Sequence, residues 1–351
     1  MASLWRLKAD QPSLKNIYDS FVKEGLQKMN VLVVGGAGYI GSHMVKYLGD
    51  TGYRVFVFDN LSTGFADAVV HGQLVQGDLA NRELVEEVLR ENKIETVFNF
   101  ASSIQVSESI QDPAKYYRNN VINTINLLDA MRSTCITRLI FSSTAAVYGE
   151  PNTIPIPDAH PRMPINPYGR TKWMVEDVLR DYYHAYGIQS FSFRYFNAAG
   201  ADPTGELGER HDPETHLIPL LLQVASGRRR SISVFGRDYE TPDGTCIRDY
   251  VHVMDLAQAH ERALQYLIAN GGCHACNLGT GQGYSVQQLI EAVERVTGRS
   301  IRVEENPRRT GDPAQLVANA SFAFERLGWS PRFSDLDTII SHAWAWEMKQ
   351  V

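Results

Sequence analysis

Residues 30–43 read NVLVVGGAGYIGSH and join an apolar run, a glycine-rich turn and the start of a helix. The apolar run, residues 30–34, is typical of a strand buried in a parallel sheet. Gly35, Gly38 and Gly41 allow a tight turn in which backbone N–H groups can approach a pyrophosphate. The first two of these glycines are separated by two residues instead of the one in the dinucleotide fingerprint, so the pattern alone is weak evidence. Its position between a strand and a helix predicts a dinucleotide-binding loop.

Downstream of this loop, strands and helices alternate up to about residue 197. This alternation predicts an α/β fold built on a doubly wound parallel (Rossmann) sheet. The predicted strands cover residues 30–34, 53–59, 74–76, 96–100, 138–142 and 189–194, and the predicted helices cover residues 39–50, 82–91, 115–131 and 168–186.

The sequence changes character after Asn197, because glycine, proline and charged residues cluster in 200–213 and 236–244. We therefore expect a sheet domain over residues 29–197 and a smaller C-terminal substrate-binding lobe over residues 198–351. Helices predicted at 255–270 and 285–296 can return to the first domain. Residues 1–28 read as an N-terminal extension without catalytic importance, and a docking helix is the alternative.

The composition excludes several classes of protein. The chain has 351 residues, 44% of them hydrophobic, and a net charge of -6, which argues against coating nucleic acid. We expect no membrane contact, because no apolar run approaches the roughly 20 residues of a membrane-spanning helix. Four cysteines are too few for a disulfide framework and indicate a reducing cytoplasm. Cys273 and Cys276 form a CxxC pattern, but no further ligands stand at matching spacing, so we predict no metal site.

The acidic residue at the end of the second predicted strand selects the cofactor. Asp59 can accept hydrogen bonds from both hydroxyls of an adenosine ribose, whereas a 2′-phosphate would meet its negative charge. No lysine or arginine follows in residues 60–64 to compensate. The cofactor is therefore predicted to be NAD rather than NADP.

A tyrosine and a lysine begin the helix predicted at residue 168. Tyr168 and Lys172 are four residues apart and share one helix face. A free tyrosine, whose pKa is near 10, is a poor base at neutral pH. A nearby ammonium group and an oxidised nicotinamide would both favour the phenolate, so Tyr168 is predicted to take a proton from a substrate hydroxyl. Thr144 follows the strand at 138–142 and can place its hydroxyl between the substrate oxygen and Tyr168.

Taken together, these segments resemble the extended short-chain dehydrogenase/reductase family, and within it the enzymes that epimerise nucleotide-sugars at C4. The resemblance begins near Asn30 and leaves only residues 1–28 outside. Its segments are GGAGYIGSH (35–43), FDNL (58–61), FSSTAAVYG (141–149), RYFNAAG (194–200), FGRDYETPDGTCIRDYVH (235–252) and PRRTGD (307–312). The family implies interconversion of UDP-galactose and UDP-glucose through a 4-keto sugar, NAD as cofactor, and a homodimer.

The resemblance also assigns roles to individual residues. The implied catalytic group is Thr144, Tyr168 and Lys172. The cofactor would be bound by Gly35, Gly38, Tyr39, Ile40, Gly41, Asp59, Asn60, Asp78, Leu79, Phe100, Ala101, Asn119, Tyr168, Lys172 and Phe196. The UDP-sugar would be bound by Thr144, Tyr168, Asn197, His216, Arg248, Arg309, Asp312 and Leu316.

The chain departs from the family pattern at four of its positions. Thr144 replaces a serine and keeps the hydroxyl, while Ile104 replaces a lysine near the nicotinamide ribose. His216 replaces an asparagine, and Leu316 replaces a tyrosine of some relatives near the C2 substituent of the sugar. Leucine at this position predicts that UDP-galactose and UDP-glucose are the preferred pair and that the N-acetylated sugars are turned over more slowly.

Three alternatives stay open at this point. A UDP-pentose 4-epimerase would use the same residues, and a 4,6-dehydratase would begin with the same oxidation. Dehydratase relatives, however, have an Asp-Glu pair where this chain has Ala145 and Ala146. A non-enzymatic sensor of NAD on the same fold would commonly lack Tyr168 and Lys172.

Overall fold

The computed structural model describes residues 29–309 and 312–351, so the predicted N-terminal extension lies outside the described residues. The strands are β1 (Asn30–Val34), β2 (Arg54–Asp59), β3 (Gln73–Gln76), β4 (Thr96–Asn99), β5 (Arg138–Ser142), β6 (Gln189–Tyr195), β7 (Asn197–Ala199), β8 (Ile232–Phe235), β9 (Ile247–His252), β10 (Cys273–Leu278), β11 (Gly283–Ser285), β12 (Val303–Asn306) and β13 (Gln315–Leu316). The α-helices span Tyr39–Asp50, Arg82–Glu91, Val106–Gln111, Pro113–Tyr116, Asn123–Ser133, Pro167–Tyr186, Leu217–Ala225, Val253–Asn270, Val286–Thr297, Ser321–Arg326 and Leu336–Glu347. Short 3₁₀ turns cover Ala66–Ala68 and Ala145–Val147, and a π-helical segment covers Tyr117–Ile122.

Seven strands form the central sheet in the order β10-β6-β5-β4-β1-β2-β3. Every neighbouring pair in this sheet is parallel. The chain adds β2 and β3 on one side of β1 and then crosses over to β4 on the other side. Such a reversal leaves a crevice at the carboxyl ends of β1 and β4, where sheets of this kind bind ligands. The predicted doubly wound parallel sheet is confirmed.

Apolar side chains cover both faces of this sheet. On one face the Tyr39–Asp50 and Val253–Asn270 helices pack against strands β1, β2 and β6. On the other face the Arg82–Glu91, Asn123–Ser133 and Pro167–Tyr186 helices pack against strands β1, β4 and β5. Burial on both faces explains why these strands read as continuous apolar runs in the sequence.

The cysteine pair of the CxxC pattern lies in the edge strand β10. Cys273 pairs in register with Ser190 of β6, and Cys276 is fully buried in the apolar cluster of one face. Residues three apart in a strand point to opposite faces, and Cys273 indeed contacts the apolar cluster of the other face. Both thiols are free, and their opposite directions are unfavourable for a disulfide between them or for joint binding of one ion.

The second half of the chain also builds small sheets of its own. β9 pairs with β7, β11 and β13, and β8 pairs with β12. The Leu217–Ala225, Val286–Thr297 and Leu336–Glu347 helices share a third apolar cluster beside these sheets. Within the described ranges, no helix is long and apolar enough to cross a membrane.

The helix expected at 115–131 is divided in the structure. It begins at Pro113, widens into the π-helical segment Tyr117–Ile122, and continues as an α-helix to Ser133. A π-helical turn shifts the register of the side chains that follow it. Arg118, Asn119 and Ile122 from this segment line the cavity described next.

Candidate active site

A cavity of about 1510 Å³ lies along the carboxyl ends of the central strands and continues between the two halves of the chain. Of the residues predicted for the site, only Lys172 is absent from its wall. The predicted residues that line it are Gly35, Gly38, Tyr39, Ile40, Gly41, Asp59, Asn60, Asp78, Leu79, Phe100, Ala101, Asn119, Thr144, Tyr168, Phe196, Asn197, His216, Arg248, Arg309, Asp312 and Leu316.

The glycine loop between β1 and the first helix leaves backbone N–H groups facing the cavity. Gly38 is the N-cap of the Tyr39–Asp50 helix and has no side chain to occupy the first N–H groups. Gly35 has a φ of +76°, and a Cβ there would lie 2.6 Å from the Ala101 nitrogen. A helix N-terminus without a capping side chain is suited to a pyrophosphate, so the loop fits the predicted dinucleotide.

Asp59 is the last residue of strand β2, and its side chain also holds the glycine loop in place. Its carboxylate is 8% exposed and accepts hydrogen bonds from the backbone nitrogens of Ala37, at 2.9 Å, and Leu61, at 2.8 Å. Beside it, the Asn60 side chain donates to Asp78 at 2.7 Å. A carboxylate has about four acceptor positions, so Asp59 can hold the loop and still accept from a ribose. The loop-holding contacts were not predicted from the sequence.

Tyr168 lies in the first turn of the Pro167–Tyr186 helix. The Asn166 side chain accepts from Gly169 N at 2.8 Å, and Pro167 occupies the first helical position, so this start is well defined. The phenol is half-buried on the cavity wall. Burial raises the pKa of Tyr168, and the Thr144 hydroxyl opposes that shift.

Lys172 lies one turn further along the helix, behind the cavity wall. It is 1% exposed, and its ammonium group donates to the Ser142 carbonyl at 2.7 Å and to the Ser102 hydroxyl at 3.0 Å. Burial lowers the pKa of Lys172 to about 7. In this structure the lysine therefore connects its helix to the ends of β4 and β5. The partner Ser102 was missed, although it follows Phe100 at the end of a predicted strand.

The three hydroxyl residues after β5 have different surroundings. Ser143 donates to Glu176 at 2.6 Å within a buried network that also contains Arg194. The Ser142 hydroxyl contacts the Tyr195 hydroxyl at the cavity wall, and sequence reasoning missed Tyr195. Thr144 caps the short Ala145–Val147 turn and faces the cavity beside Tyr168.

The two arginines predicted for the diphosphate lie in the second half of the chain. Arg248, on β9, is 12% exposed at its side chain and forms a salt bridge with Asp312. Its guanidinium also donates to the Ile247 carbonyl at 2.7 Å. Arg309 lies over the Phe235 ring, with its guanidinium carbon 4.0 Å from the ring centre. Asp312 thus orients Arg248, while Phe235 supports Arg309.

His216 precedes the Leu217–Ala225 helix and hydrogen-bonds to Glu209. Its side chain is 46% accessible because it faces the cavity. Burial would lower the pKa of His216, but the Glu209 and Glu214 carboxylates outweigh it and raise this pKa to about 9. His216 was predicted from the sequence, whereas the acidic residues around it were not.

One of the departures from the family pattern lies on the cavity wall. Ile104 is 42% exposed and presents an aliphatic side chain there. Nearby, the Asn119 side chain donates to the Ser103 hydroxyl at 3.0 Å.

Known proteins share both the sequence and this geometry. A family model described as GDP-mannose 4,6 dehydratase matches residues 32–342. The UDP-glucose 4-epimerase of Rhizobium meliloti (strain 1021) is 49% identical over 325 residues, covering 93% of this chain and 99% of that protein. A crystal structure of UDP-glucose 4-epimerase from Brucella ovis in complex with NAD has a TM-score of 0.88 and 52% identity, and covers 90% of this chain and 97% of that one.

A further solved structure contains both a dinucleotide and a UDP ligand. The UDP-glucose 4-epimerase from Bifidobacterium longum in complex with NAD+ and UDP has a TM-score of 0.87 and 38% identity, and covers 92% of this chain and 98% of that one. The relatives match along nearly their whole length, and the matched region of this chain contains the glycine loop, Tyr168 and both arginines. The chain therefore belongs to the UDP-glucose 4-epimerases of the extended short-chain dehydrogenase/reductase family.

Proposed function

We propose that this protein interconverts UDP-glucose and UDP-galactose by inverting the sugar at C4, with NAD as its cofactor. One observation carries the proposal. Tyr168 and Thr144 line the same cavity as the glycine loop, Arg248 and Arg309. A shared cavity of this kind supports acid–base groups that act together with a dinucleotide and a diphosphate.

Tyr168 is the proton acceptor and donor for the C4 hydroxyl. When bound, NAD supplies a reversible hydride acceptor, so the sugar passes through a 4-keto form. The phenol of Tyr168 must lose its proton to start the reaction, and burial alone opposes this loss. The Thr144 hydroxyl works in the favourable direction, and Lys172 holds the ends of β4 and β5 in place beneath the site.

The arginines hold the part of the substrate that does not react. Arginine matches a diphosphate because its planar guanidinium can donate two parallel hydrogen bonds. Arg248 pairs with Asp312 and Arg309 lies over Phe235, so neighbouring side chains orient both guanidinium groups. Anchoring at UDP leaves the sugar free to present either face to the cofactor, and directs binding energy at the unreactive half.

The direct test is to incubate the purified protein with UDP-galactose and to follow formation of UDP-glucose, with and without added NAD. Tyr168→Phe should lose activity. Tyr186→Phe is the matched control, because Tyr186 lies on the same helix and is 49% exposed. Absence of UDP-glucose under both NAD conditions would refute the proposal.

The same assay separates the alternative reactions. A 4,6-dehydratase would release a keto-sugar and water, whereas an epimerase returns a sugar of unchanged mass. Ala145 and Ala146 line the cavity, and neither side chain can transfer a proton. We propose the hexose pair as the preferred substrates, ahead of the UDP-pentoses, with slower turnover of the N-acetylated pair.

We also propose a homodimer located in the cytoplasm. Among the large apolar side chains exposed on the helices between residues 106 and 174, Ile110 and Met174 lie outside the cavity wall, on two helices that contact each other. Exposed apolar groups on adjacent elements are typical of a contact surface between subunits. The four cysteines are free, as expected in a reducing compartment. Sedimentation of the purified protein measures the assembly, and a monomer at micromolar concentration would contradict the dimer.

A further inference from the structure

We propose that Glu209, His211, Glu214 and His216 form a binding site for a divalent late transition metal ion, with zinc the preferred ion. Each residue offers one ligand atom, and the four atoms lie within 4.8 Å of one another. Two imidazoles and two carboxylates are a donor set that zinc accepts in tetrahedral sites. The proposed site shares the cavity wall with Tyr168 through Glu209, His211 and His216, but it contains none of the predicted acid–base residues.

The separations between the ligand atoms are close to those that a small ion requires. Ligands about 2.1 Å from a tetrahedral zinc ion lie about 3.4 Å from one another. His211 Nδ1 is 3.3 Å from a Glu214 oxygen and 3.5 Å from a Glu209 oxygen. His216 Nδ1 contacts the same Glu209 oxygen more closely, so that hydrogen bond would open when a metal ion enters.

The Glu214 carboxylate is oriented by a second set of contacts. One of its oxygens accepts from the backbone nitrogens of Thr215, at 2.7 Å, and His216, at 2.8 Å. Its other oxygen faces His211. Outer hydrogen bonds that orient a ligand in this way are a regular feature of metal sites. On the other side, Trp346 donates to the Glu209 carbonyl at 3.1 Å and holds that backbone in place.

The buried negative charge of the cluster also favours a cation. The side chains of Glu209 and Glu214 are 6% and 7% exposed. Among the residues described in the structure, neither carboxylate has a lysine or arginine salt-bridge partner. Buried carboxylates are stable when they are paired or when they coordinate a metal, and the only side chains in salt-bridge range of these two, among the described residues, are the imidazoles of His211 and His216.

The cavity provides a path of entry. His216 lies on its wall together with Glu209 and His211. The His211 ring packs edge-on against Tyr39, with ring centres 6.1 Å apart, so the cluster also borders the glycine loop. An ion bound here would connect the segment that carries His216 to the wall beside that loop.

The test is a zinc titration of untagged, chelator-treated full-length protein in the absence of UDP-sugar, followed with a competing chromophoric chelator. The parent protein should bind one tight equivalent of zinc per chain. Loss of a residue that only hydrogen-bonds to a metal ligand lowers metal affinity roughly 10-fold to 100-fold. His211→Gln and Glu214→Gln each remove a proposed ligand, so each should weaken zinc binding by at least this factor. His71→Gln is the matched control, because His71 pairs with Asp50 on the surface at 3.0 Å and lies outside the cluster.

Cobalt substitution identifies the ligand type. Cobalt bound to the cluster should give the d–d absorption of a tetrahedral nitrogen and oxygen site without a thiolate charge-transfer band. Circular dichroism and bound NAD verify that both variants are folded, and a variant that fails this check is replaced by Glu209→Gln. Unchanged zinc affinity in the folded variants, a thiolate band, or no tight site in the parent would each overturn the proposal. In those cases the four residues would form hydrogen-bonded His–Glu pairs only.

Discussion

Replacing Tyr168 with phenylalanine removes one oxygen from the cavity wall and leaves the packing of the ring unchanged. The fold and the bound NAD should therefore persist, while turnover should fall by about 10²-fold to 10⁴-fold, the usual contribution of a positioned acid–base group. Steady-state kinetics on UDP-galactose measure this loss, and the NAD content of the same preparation verifies the fold. A Tyr168→Phe enzyme that works at nearly the parent rate would exclude the tyrosine as the base.

Lys172→Met tests the buried lysine through stability as well as through activity. The pKa of Lys172 falls from 10.5 to about 7 because the group is buried. Between these two pH values the unfolded chain keeps a proton that the folded protein has lost. The free energy of unfolding of the parent should therefore rise with pH relative to Lys172→Met, from pH 7 towards 10.5. Denaturant unfolding of both proteins at matched NAD and several pH values measures the difference, and a pH-independent difference would contradict the lowered pKa.

The same substitution should slow catalysis. Loss of the lysine removes the hydrogen bonds to Ser142 and Ser102, together with any positive charge that favours the phenolate of Tyr168. Raising the pH should restore part of the activity, because phenolate then forms more readily. Lys172→Arg is the control that keeps a cation. If the activity of Lys172→Met does not recover at any pH, the lysine acts by holding the two strand ends rather than by its charge.

Substitution of Leu316 tests whether the protein accepts N-acetylated sugars as well as plain hexoses. Leu316 pairs in register with Arg248, packs against the same small apolar cluster as Phe196, and lines the cavity in which the sugar is predicted to bind. Leucine leaves more space than tyrosine for the N-acetyl group of the sugar, but it offers no hydrogen-bond partner to the amide of that group. Burying this amide without a partner costs roughly 1–3 kcal/mol of binding free energy. We predict that Leu316→Tyr suppresses turnover of UDP-N-acetylgalactosamine much more than that of UDP-galactose. Parallel kcat/KM values decide this, with Leu316→Met as the size-matched control, and equal losses for both sugars would contradict it.

At the scale of elements, the glycine loop and strand β2 act as a unit through Asp59. Asp59→Ala removes the acceptor for Ala37 N and Leu61 N as well as a ribose contact, so it should lower both NAD retention and the melting temperature of NAD-free protein. Asp59→Asn keeps one neutral acceptor and should be milder in both respects. Cofactor released on denaturation, together with thermal unfolding, measures the two effects. An unchanged NAD-free melting temperature in Asp59→Ala would restrict Asp59 to the ribose.

Most of the secondary structure in the first half of the chain could be predicted from the sequence, and less of it in the second half. The central strands and the four longer helices of the first half were predicted within a few residues, because burial on both faces leaves uninterrupted apolar runs and Asn166-Pro167 marks a helix start. The short Val106–Gln111 helix was not predicted. The helix at Val286–Thr297 was placed one residue early, since Ser285 is its cap. The short strands β7 to β9 were not predicted, because their few residues carry no clear period and depend on partners far along the chain.

In the candidate active site, the motif residues were predicted from the sequence, but the side chains that support them were not. Motif residues such as Gly35, Tyr168 and Arg248 all reach one cavity, as the resemblance implies. Their supports were missed, because Ser102 beneath Lys172 and Phe235 beneath Arg309 are common residue types without a motif of their own. The arrangement of Glu209, His211, Glu214 and His216 was also missed, since its spacing matches no established metal motif. Such groupings become visible only when the fold brings the side chains together.

At the scale of the whole molecule, the two halves of the chain are interleaved. β10 comes from the second half yet forms the outer strand of the central sheet beside β6. The Val253–Asn270 helix, also from the second half, buries Leu256 and Leu264 against the same apolar cluster as β1. We propose that the NAD-binding domain consists of residues 29–197 together with this returning helix and strand, and that the remaining residues form the substrate lobe.

A fragment ending at Asn197 tests that division. Without β10, the backbone edge of β6 would be unpaired, and without the Val253–Asn270 helix the side chains of Phe191 and Phe193 would lose their cover. Unpaired strand edges and exposed apolar faces favour aggregation. We expect residues 29–197 expressed alone to be insoluble or to unfold without a cooperative transition, and to retain no NAD. The matched control joins residues 29–197 to residues 253–278 through a flexible linker, which should restore solubility and a cooperative melt. A fragment of residues 29–197 that folds cooperatively and binds NAD by itself would show that the first half is a complete domain and that the returning elements only cover it.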